Sequence, residues 1–174
     1  TNFMCGIIGY IGNKEAMPIL LQGLRRLEYR GYDSAGIAVI DNKEVLRVRS
    51  VGKIDALADK LKGKEKEMKG TIGIAHTRWA THGGVTEENA HPHFGCDGKL
   101  IIAHNGIIEN YRQLKEHLGA KHVFKSETDT EVLAHLIESH YDGDLRHSVE
   151  KALMHVRGTY GLVAMHADHP DKIV

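Results

Sequence analysis

The order in which strand-like and helix-like segments follow one another limits the folds open to this chain more than any other feature. Apolar runs of strand length recur in neighbouring pairs, and segments with the helical spacing of apolar residues separate those pairs. The predicted strands cover 5–12, 37–40, 45–48, 71–76, 100–104 and 160–165, and the predicted helices cover 16–29, 54–61, 111–118, 132–141 and 145–156. This order lacks regular βαβ units, so we predict an α+β fold in which sheets lie against helices.

Three short segments predict how elements are joined, begin or end. Asp41-Asn42-Lys43 separates two adjacent strands and predicts a hairpin. Thr128-Asp129-Thr130-Glu131 matches a capping box, with Thr128 as the N-cap and Glu131 at the third helical position. Asp129 would then lie at the N-terminus of a helix. Residues 172–174 are typical of the start of one more strand.

Composition limits the classes of partner. The 174 residues include 23 Lys plus Arg and 23 Asp plus Glu, so the chain lacks the basic excess typical of nucleic-acid-binding proteins. No apolar stretch reaches the roughly 18 residues of a membrane-spanning helix. The two cysteines, Cys5 and Cys96, form no disulfide framework and fit a reducing compartment. We therefore expect a cytoplasmic protein that binds neither nucleic acid nor a membrane.

Thirteen histidines, including His91-Pro92-His93, raise the question of a metal site. They are spread over strands, helices and loops without the Cys/His spacing of a zinc site, so the sequence predicts no metal ligands. A non-catalytic, histidine-rich metal-binding module stays open as an alternative.

Cys5 follows a methionine and opens the apolar run 5–12. If Met4 is the initiator and is removed, the α-amino group of Cys5 has a reference pKa of about 7.7–8.0, close to that of a useful general base. Nucleophile and base would then be one residue. Taken alone, a cysteine in an apolar run is more often a small buried core residue. We interpret residues 1–3 as an expression remnant ahead of the initiator, which leaves 5–174 as the domain.

Two predicted strands are followed by polar groups suited to a polar ligand. The strand 71–76 leads into Arg78, Trp79, Thr81 and His82, and the planar fork of an arginine suits a carboxylate. The strand 100–104 leads into Asn105-Gly106, whose side-chain amide and backbone N–H are donors for an oxyanion.

Two other interpretations of these segments remain open. Asn-Gly is also the strongest short signal for a hairpin turn. A Cys-His amidase or peptidase would pair Cys5 with His76, His82 or His104 as the base.

Three segments together resemble the class II glutamine amidotransferases of the N-terminal nucleophile hydrolase superfamily: Cys5-Gly6-Ile7-Ile8-Gly9, Arg30-Gly31 with 33–36, and His104-Asn105-Gly106. The longer strings LRRLEYRGYDSAG, GIAHTRWATHG, NAHPH, HNGIIENY and SETDTEV resemble the members that transfer ammonia to fructose 6-phosphate. The resemblance extends from Met4 to Val174, and another class II amidotransferase is the alternative.

The resemblance implies a four-layer αββα sandwich, truncated at its C-terminal end. Fructose 6-phosphate would bind to sugar-isomerase domains that are missing from this sequence, and the full-length enzyme is expected to be a homo-oligomer. No cofactor is implied. With residues 1–4 attached, the Cys5 nitrogen is a peptide amide, so we expect the chain as written to be an inactive glutaminase.

The resemblance also implies a role for each site residue. Cys5 attacks the side-chain amide of L-glutamine, and Asn105 with the Gly106 N–H holds the oxyanion. The remaining implied assignments are Arg78 to the α-carboxylate, Asp129 to the α-ammonium, Thr81 and His82 to the pocket wall, Trp79 to a closing lid, and Arg30 to a helper position near the nucleophile.

Overall fold

The computed structural model describes residues 5–174, so the interpretation of residues 1–4 lies outside the described part. The helices are α1 (Ala16–Leu27), α2 (Ile54–Leu61), α3 (Tyr111–Leu118), α4 (Asp129–Ser139) and α5 (Leu145–Leu153). The strands are β1 (Gly6–Ile11), β2 (Ser34–Asp41), β3 (Glu44–Val51), β4 (Ile72–Arg78), β5 (His93–Phe94), β6 (Leu100–Ile108) and β7 (Gly158–His166). Short 3-10 turns cover Glu28–Arg30 and Gly119–Lys121. Among the described residues, none of the helices has both the length and the apolar character that crossing a bilayer requires.

The described strands form two antiparallel sheets. The first has the order β1-β4-β2-β3, and the second has the order β5-β6-β7. In the first sheet Gly6 lies opposite Thr77, which brings the start of β1 to the end of β4. In the second sheet Asn105 lies opposite Gly161, so β6 stays paired with β7 through its polar end.

Alternation of side chains along β2 and β6 builds the layers. In β2, Ile37 and Val39 pack against α1 and α2, whereas Ala38 and Ile40 pack in the cluster between the two sheets. In β6, the residues 101 and 103 join that central cluster, while 100 and 102 pack against α3, α4 and α5. Three apolar clusters therefore separate four layers, and the predicted α+β fold with an αββα sandwich is confirmed.

The local predictions hold at the hairpin and at the helix cap. Asn42 and Lys43 turn the chain between β2 and β3 with φ angles of 48° and 64°. Thr128 accepts a hydrogen bond from the Glu131 N–H at 3.2 Å, as an N-cap should. In a capping box the Glu131 carboxylate would accept a hydrogen bond from the Thr128 N–H. Here it accepts instead from the backbone N–H groups of Lys125 and Ser126 in the preceding loop.

Other elements differ from prediction for identifiable reasons. The helix predicted for 16–29 ends at Leu27, because the chain tightens into a 3-10 turn before Gly31 at φ 73°. Helix α4 begins at Asp129, as the predicted N-cap Thr128 requires, three residues before the start that the apolar pattern alone indicates. Val174 exchanges two backbone hydrogen bonds with Ala164 of β7, at 2.8 and 3.0 Å, but residues 172–174 do not form the strand that their sequence predicts.

Candidate active site

Cys5 lies at the start of β1, beside the end of β4. The Gly6 N–H donates to the Thr77 Oγ1 at 3.0 Å, and the Trp79 N–H donates to the Cys5 Sγ at 3.1 Å. The thiol is thus held by the backbone of the neighbouring strand end. Burial raises the pKa of the Cys5 thiol, although the Trp79 N–H opposes this rise. Such a thiol is mostly protonated at neutral pH, so its use as a nucleophile requires a proton acceptor.

Arg78, the last residue of β4, organises the loop that follows. Its side chain is only 3% exposed. The guanidinium donates to the carbonyl oxygens of Gly84 at 3.1 Å and His82 at 2.5 Å, and it lies 3.9 Å from the Asp33 carboxylate. A guanidinium has five N–H donors, so these contacts leave others for a ligand. Burial lowers the pKa of Arg78 and the Asp33 charge opposes the fall.

Asp129 provides a buried carboxylate on the other side of the same region. It is the first residue of α4 and 4% exposed. Its Oδ2 accepts a hydrogen bond from the Ile108 N–H at 2.8 Å and lies 4.0 Å from the His82 Nδ1. An ionised carboxylate has about four acceptor positions, so Asp129 retains capacity for a cationic ligand group.

Asn105 and Gly106 lie inside β6 and do not form the hairpin turn that Asn-Gly also signals. The Asn105 Nδ2 donates to the Cys5 carbonyl oxygen at 3.1 Å, and its Oδ1 lies 2.8 Å from the His76 Nε2. Gly106 has a φ of 126°, and a Cβ at this position would collide with the Thr159 carbonyl oxygen of β7. Glycine is therefore required here for the close approach of β6 and β7.

A single cavity of about 250 Å³ collects most of the predicted site residues. The predicted residues in its lining are Cys5, Arg78, Trp79, Thr81, His82, Gly106 and Asp129. Asn105 is not in the lining and reaches Cys5 through the hydrogen bond to its carbonyl oxygen. Arg30 lies in the 3-10 turn that follows α1 and is not in the lining of this cavity, as far as the chain is described.

Buried histidines lie around the floor of this cavity. His91 stacks on His76 with 4.1 Å between ring centroids. The Thr130 hydroxyl contacts the His91 Nε2 at 2.8 Å and the His104 Nδ1 at 2.9 Å. Burial lowers the pKa of His76 to about 3 and also lowers the pKa values of His91 and His104. These imidazoles are therefore weak proton acceptors.

The geometry bears directly on the Cys-His alternative. Within residues 5–174, the hydrogen bonds of the Cys5 Sγ are made with the backbone of Trp79 and with none of the three proposed histidine bases. A base with a pKa of about 3, as for His76, is also mismatched to a thiol whose pKa is raised.

Sequence reasoning missed two residues that support the site. The Asp33 Oδ2 accepts a hydrogen bond from the Ala80 N–H at 2.5 Å, so it positions the loop after β4 as well as facing Arg78. Thr130 bridges two buried histidines through one hydroxyl. Asp33 lies in the segment 33–36 that carries part of the family resemblance. A charged residue between Gly31 and Gly36 was the only sequence feature that could have indicated its role. Thr130 gave none beyond its place in a helix cap.

A family model described as a glutamine amidotransferase domain matches residues 76–174. The chain is 56% identical over 171 residues to the glutamine–fructose-6-phosphate aminotransferase (isomerizing) of Thermus thermophilus. It is 50% identical over 173 residues to the protein of the same name from Pyrococcus horikoshii. Both alignments cover 98% of this chain but 28% and 29% of the relatives, so the chain spans less than a third of their length.

Solved structures show the same architecture. A glutamine phosphoribosylpyrophosphate amidotransferase from B. subtilis superposes with a TM-score of 0.77 at 32% identity, covering 92% of this chain and 35% of that one. A glutamine aminotransferase class-II domain protein from Silicibacter pomeroyi superposes with a TM-score of 0.61 at 19% identity, covering 92% and 72%. The second likeness concerns the fold alone.

Proposed function

The chain belongs to the glutamine amidotransferase family, and on this basis we propose that it hydrolyses the side-chain amide of L-glutamine to glutamate and ammonia. One observation carries the proposal: the Cys5 thiol, the Arg78 guanidinium and the Asp129 carboxylate line the same cavity. L-glutamine has a carboxylate, an ammonium group and an amide carbon, so each of these three side chains meets a complementary group.

Substrate binding follows from the two buried charges. Arg78 pairs with the α-carboxylate, since its fork binds both oxygens of a carboxylate. Asp129 accepts from the α-ammonium. Thr81 and His82 complete the wall, and Trp79, which is 39% exposed beside the cavity, covers the bound ligand as a lid. Arg30 lies outside the lining, and its role as a helper near the nucleophile stays a prediction.

The chemical step begins at Cys5. In a protein that begins with this residue, its α-amino group takes the thiol proton as the sulfur attacks the amide carbon. The tetrahedral intermediate then breaks its C–N bond, and the ammonium group returns the proton so that ammonia leaves. Water hydrolyses the remaining thioester to glutamate and regenerates the thiol. The α-amine suits this task better than the buried histidines, because its reference pKa of about 7.7–8.0 lies close to the working pH.

Asn105 and Gly106 stabilise the negative charge of the intermediate. The Asn105 Nδ2 donates one hydrogen to the Cys5 carbonyl oxygen, and in this proposal its second hydrogen is donated to the oxyanion. Gly106 contributes its backbone N–H. Removing one such donor typically costs about 2.7–4 kcal/mol of transition-state stabilisation, so the rate should suffer more than binding.

The acceptor of the ammonia lies beyond this domain. The relatives at 50–56% identity are named for fructose 6-phosphate, and this chain covers 28–29% of their length. We propose that the domain acts within a longer, homo-oligomeric protein that binds fructose 6-phosphate elsewhere and aminates it. Thiols stay reduced most readily in a reducing compartment, which is consistent with a cytoplasmic protein.

The decisive experiment compares ammonia release from L-glutamine by two versions of the protein, one beginning at Cys5 and one carrying residues 1–4. We expect the extended version to be slower by about 10²–10⁴-fold, the usual contribution of a positioned general base. Calorimetric titration with L-glutamine shows whether both versions bind substrate. The variant Cys5→Ser gives the background rate of ammonia release in the absence of the thiol. Equal turnover by the two versions would shift the proton acceptor to a histidine. Failure of the shorter version to release ammonia while binding glutamine would contradict the proposed function.

A further inference from the structure

A second group of chemically active side chains lies beside α4, outside the cavity described above. Cys96 follows β5, His122 follows the 3-10 turn after α3, and His135 lies in the middle of α4. The Cys96 Sγ is 3.5 Å from the His122 Nδ1 and 3.2 Å from the His135 Nδ1. The two Nδ1 atoms are 3.1 Å apart. Three elements thus direct one sulfur and two imidazole nitrogens at a common point.

Hydrogen bonding accounts for only part of this convergence. A neutral imidazole Nδ1 has either one proton or one lone pair, and a thiol has one proton. Whatever the tautomers of His122 and His135, at most two of the three contacts can be hydrogen bonds. A cation at the common point would satisfy all three atoms at once.

A fourth donor completes the set. Glu138, one turn after His135 on α4, has a carboxylate oxygen within 4.8 Å of the other three donor atoms. Its two oxygens accept hydrogen bonds from the N–H groups of Cys96 and Asp97, each at 2.9 Å. Each oxygen has a second acceptor position, so Glu138 can hold the Cys96 loop and a metal together.

The surroundings of His135 match those of a metal ligand. While its Nδ1 faces the cluster, its Nε2 lies 3.9 Å from the Glu131 carboxylate. In many zinc sites a carboxylate on the far side of a ligating imidazole accepts the ring N–H; at 3.9 Å the Glu131 contact is longer than a hydrogen bond and acts on His135 through its charge. Glu131 is itself held by the backbone N–H groups of Lys125 and Ser126.

We propose that Cys96, His122, His135 and Glu138 bind one zinc ion. Zinc–nitrogen bonds of about 2.0–2.1 Å and zinc–sulfur bonds of about 2.3 Å give tetrahedral edges of about 3.3–3.4 Å between nitrogens and about 3.5 Å between sulfur and nitrogen. The observed separations of 3.1, 3.2 and 3.5 Å are close to these values. Thiolate and imidazole ligands favour zinc over magnesium or calcium.

Zinc binding displaces one proton, that of the Cys96 thiol. The zinc–sulfur bond forms as the Cys96 S–H proton passes to solvent, while both imidazoles bind as neutral ligands. Four protein donors leave no open coordination position, so the site is structural and not catalytic. It would fasten the loop after β5 to α4, the helix whose first residue is Asp129.

The two cysteines of the chain provide matched variants for the test. The protein is treated with a chelator, titrated with zinc against a chromophoric competitor, and separately loaded with cobalt(II). We expect one zinc per chain, and a thiolate-to-cobalt charge-transfer band in the unchanged protein and in Cys5→Ser. Cys96→Ser should lose that band and bind zinc about 100-fold or more weakly.

Two histidine variants separate the site from adventitious binding. His135→Gln should weaken zinc by about 100-fold, whereas His117→Gln, which changes an exposed residue of α3, should bind as the unchanged protein does. Thermal unfolding of each metal-free variant checks that it folds. If His135→Gln does not fold, Cys96→Ser decides the question, because Cys96 is exposed. Absence of stoichiometric zinc, or a cobalt band that survives in Cys96→Ser, would overturn the proposal.

Discussion

Replacing Arg78 by lysine should separate its contact with substrate from its contacts with the loop. The guanidinium donates to the His82 and Gly84 carbonyl oxygens, and it is proposed to bind the α-carboxylate of glutamine as well. A lysine keeps the charge but loses the planar fork. Loss of one charge-assisted hydrogen bond costs about 1.5–3 kcal/mol, which corresponds to a decrease in kcat/KM of about 10- to 150-fold.

The assay is ammonia release by protein that begins at Cys5, with L-glutamine and with an analogue in which hydrogen replaces the α-carboxylate. The unchanged protein should prefer L-glutamine, and Arg78→Lys should lose much of that preference. Arg146→Lys, an exposed substitution on α5, is the matched control and should leave kcat/KM unchanged. If Arg78→Lys lowers kcat/KM equally for both substrates, the effects are additive and Arg78 acts only through the loop.

Two further predictions concern stability, each measured by urea unfolding. Gly106→Ala should lower the free energy of unfolding by about 1–3 kcal/mol more than Gly98→Ala. Both glycines have a positive φ, but only a Cβ at position 106 would collide with backbone atoms. Equal losses would contradict the close approach of β6 and β7. Burial lowers the pKa of His76 to about 3, below its unfolded value of about 6.5, so the unfolded state takes up the proton first as the pH falls. Lowering the pH from 7 to 5 should therefore decrease the free energy of unfolding by about 2 kcal/mol through this group. His76→Gln should remove that part of the pH dependence. An unchanged pH dependence would show that His76 is not buried as a neutral imidazole.

The fold was predictable where apolar periodicity carries the signal. The helices at 54–61 and 111–118 match α2 and α3 in both bounds, because each has an amphipathic pattern between clear boundaries. The strand predicted for 100–104 extends to Ile108, since backbone pairing with β7 continues through Asn105 and Gly106 and Ile108 is buried in the core. Strand β5, only two residues long, has no periodicity to detect.

The candidate site was predictable as a set of residues but not as a geometry. Cys5 and Arg78 are brought together by the register of β1 on β4, and the hydrogen bond from Asn105 to Cys5 depends on how the two sheets stack. Neither the register of the strands nor the stacking of the sheets can be predicted from a local sequence pattern. The same reason explains why the sequence predicted no metal ligands: Cys96, His122 and His135 are separated by 26 and 13 residues and meet only in the folded chain.

The zinc proposal changes what metal analysis can decide about this protein. On the sequence alone, bound metal would have favoured a histidine-rich metal-binding module over an amidotransferase. In the structure, the proposed ligands lie apart from the cavity that contains Cys5, although Asp129 and His135 belong to the same helix and are about 9 Å apart along it. Bound zinc would therefore be compatible with glutamine hydrolysis by the same protein. The two thiols separate the properties, because Cys5→Ser should abolish ammonia release and retain zinc, whereas Cys96→Ser should release zinc and leave the Cys5 thiol in place.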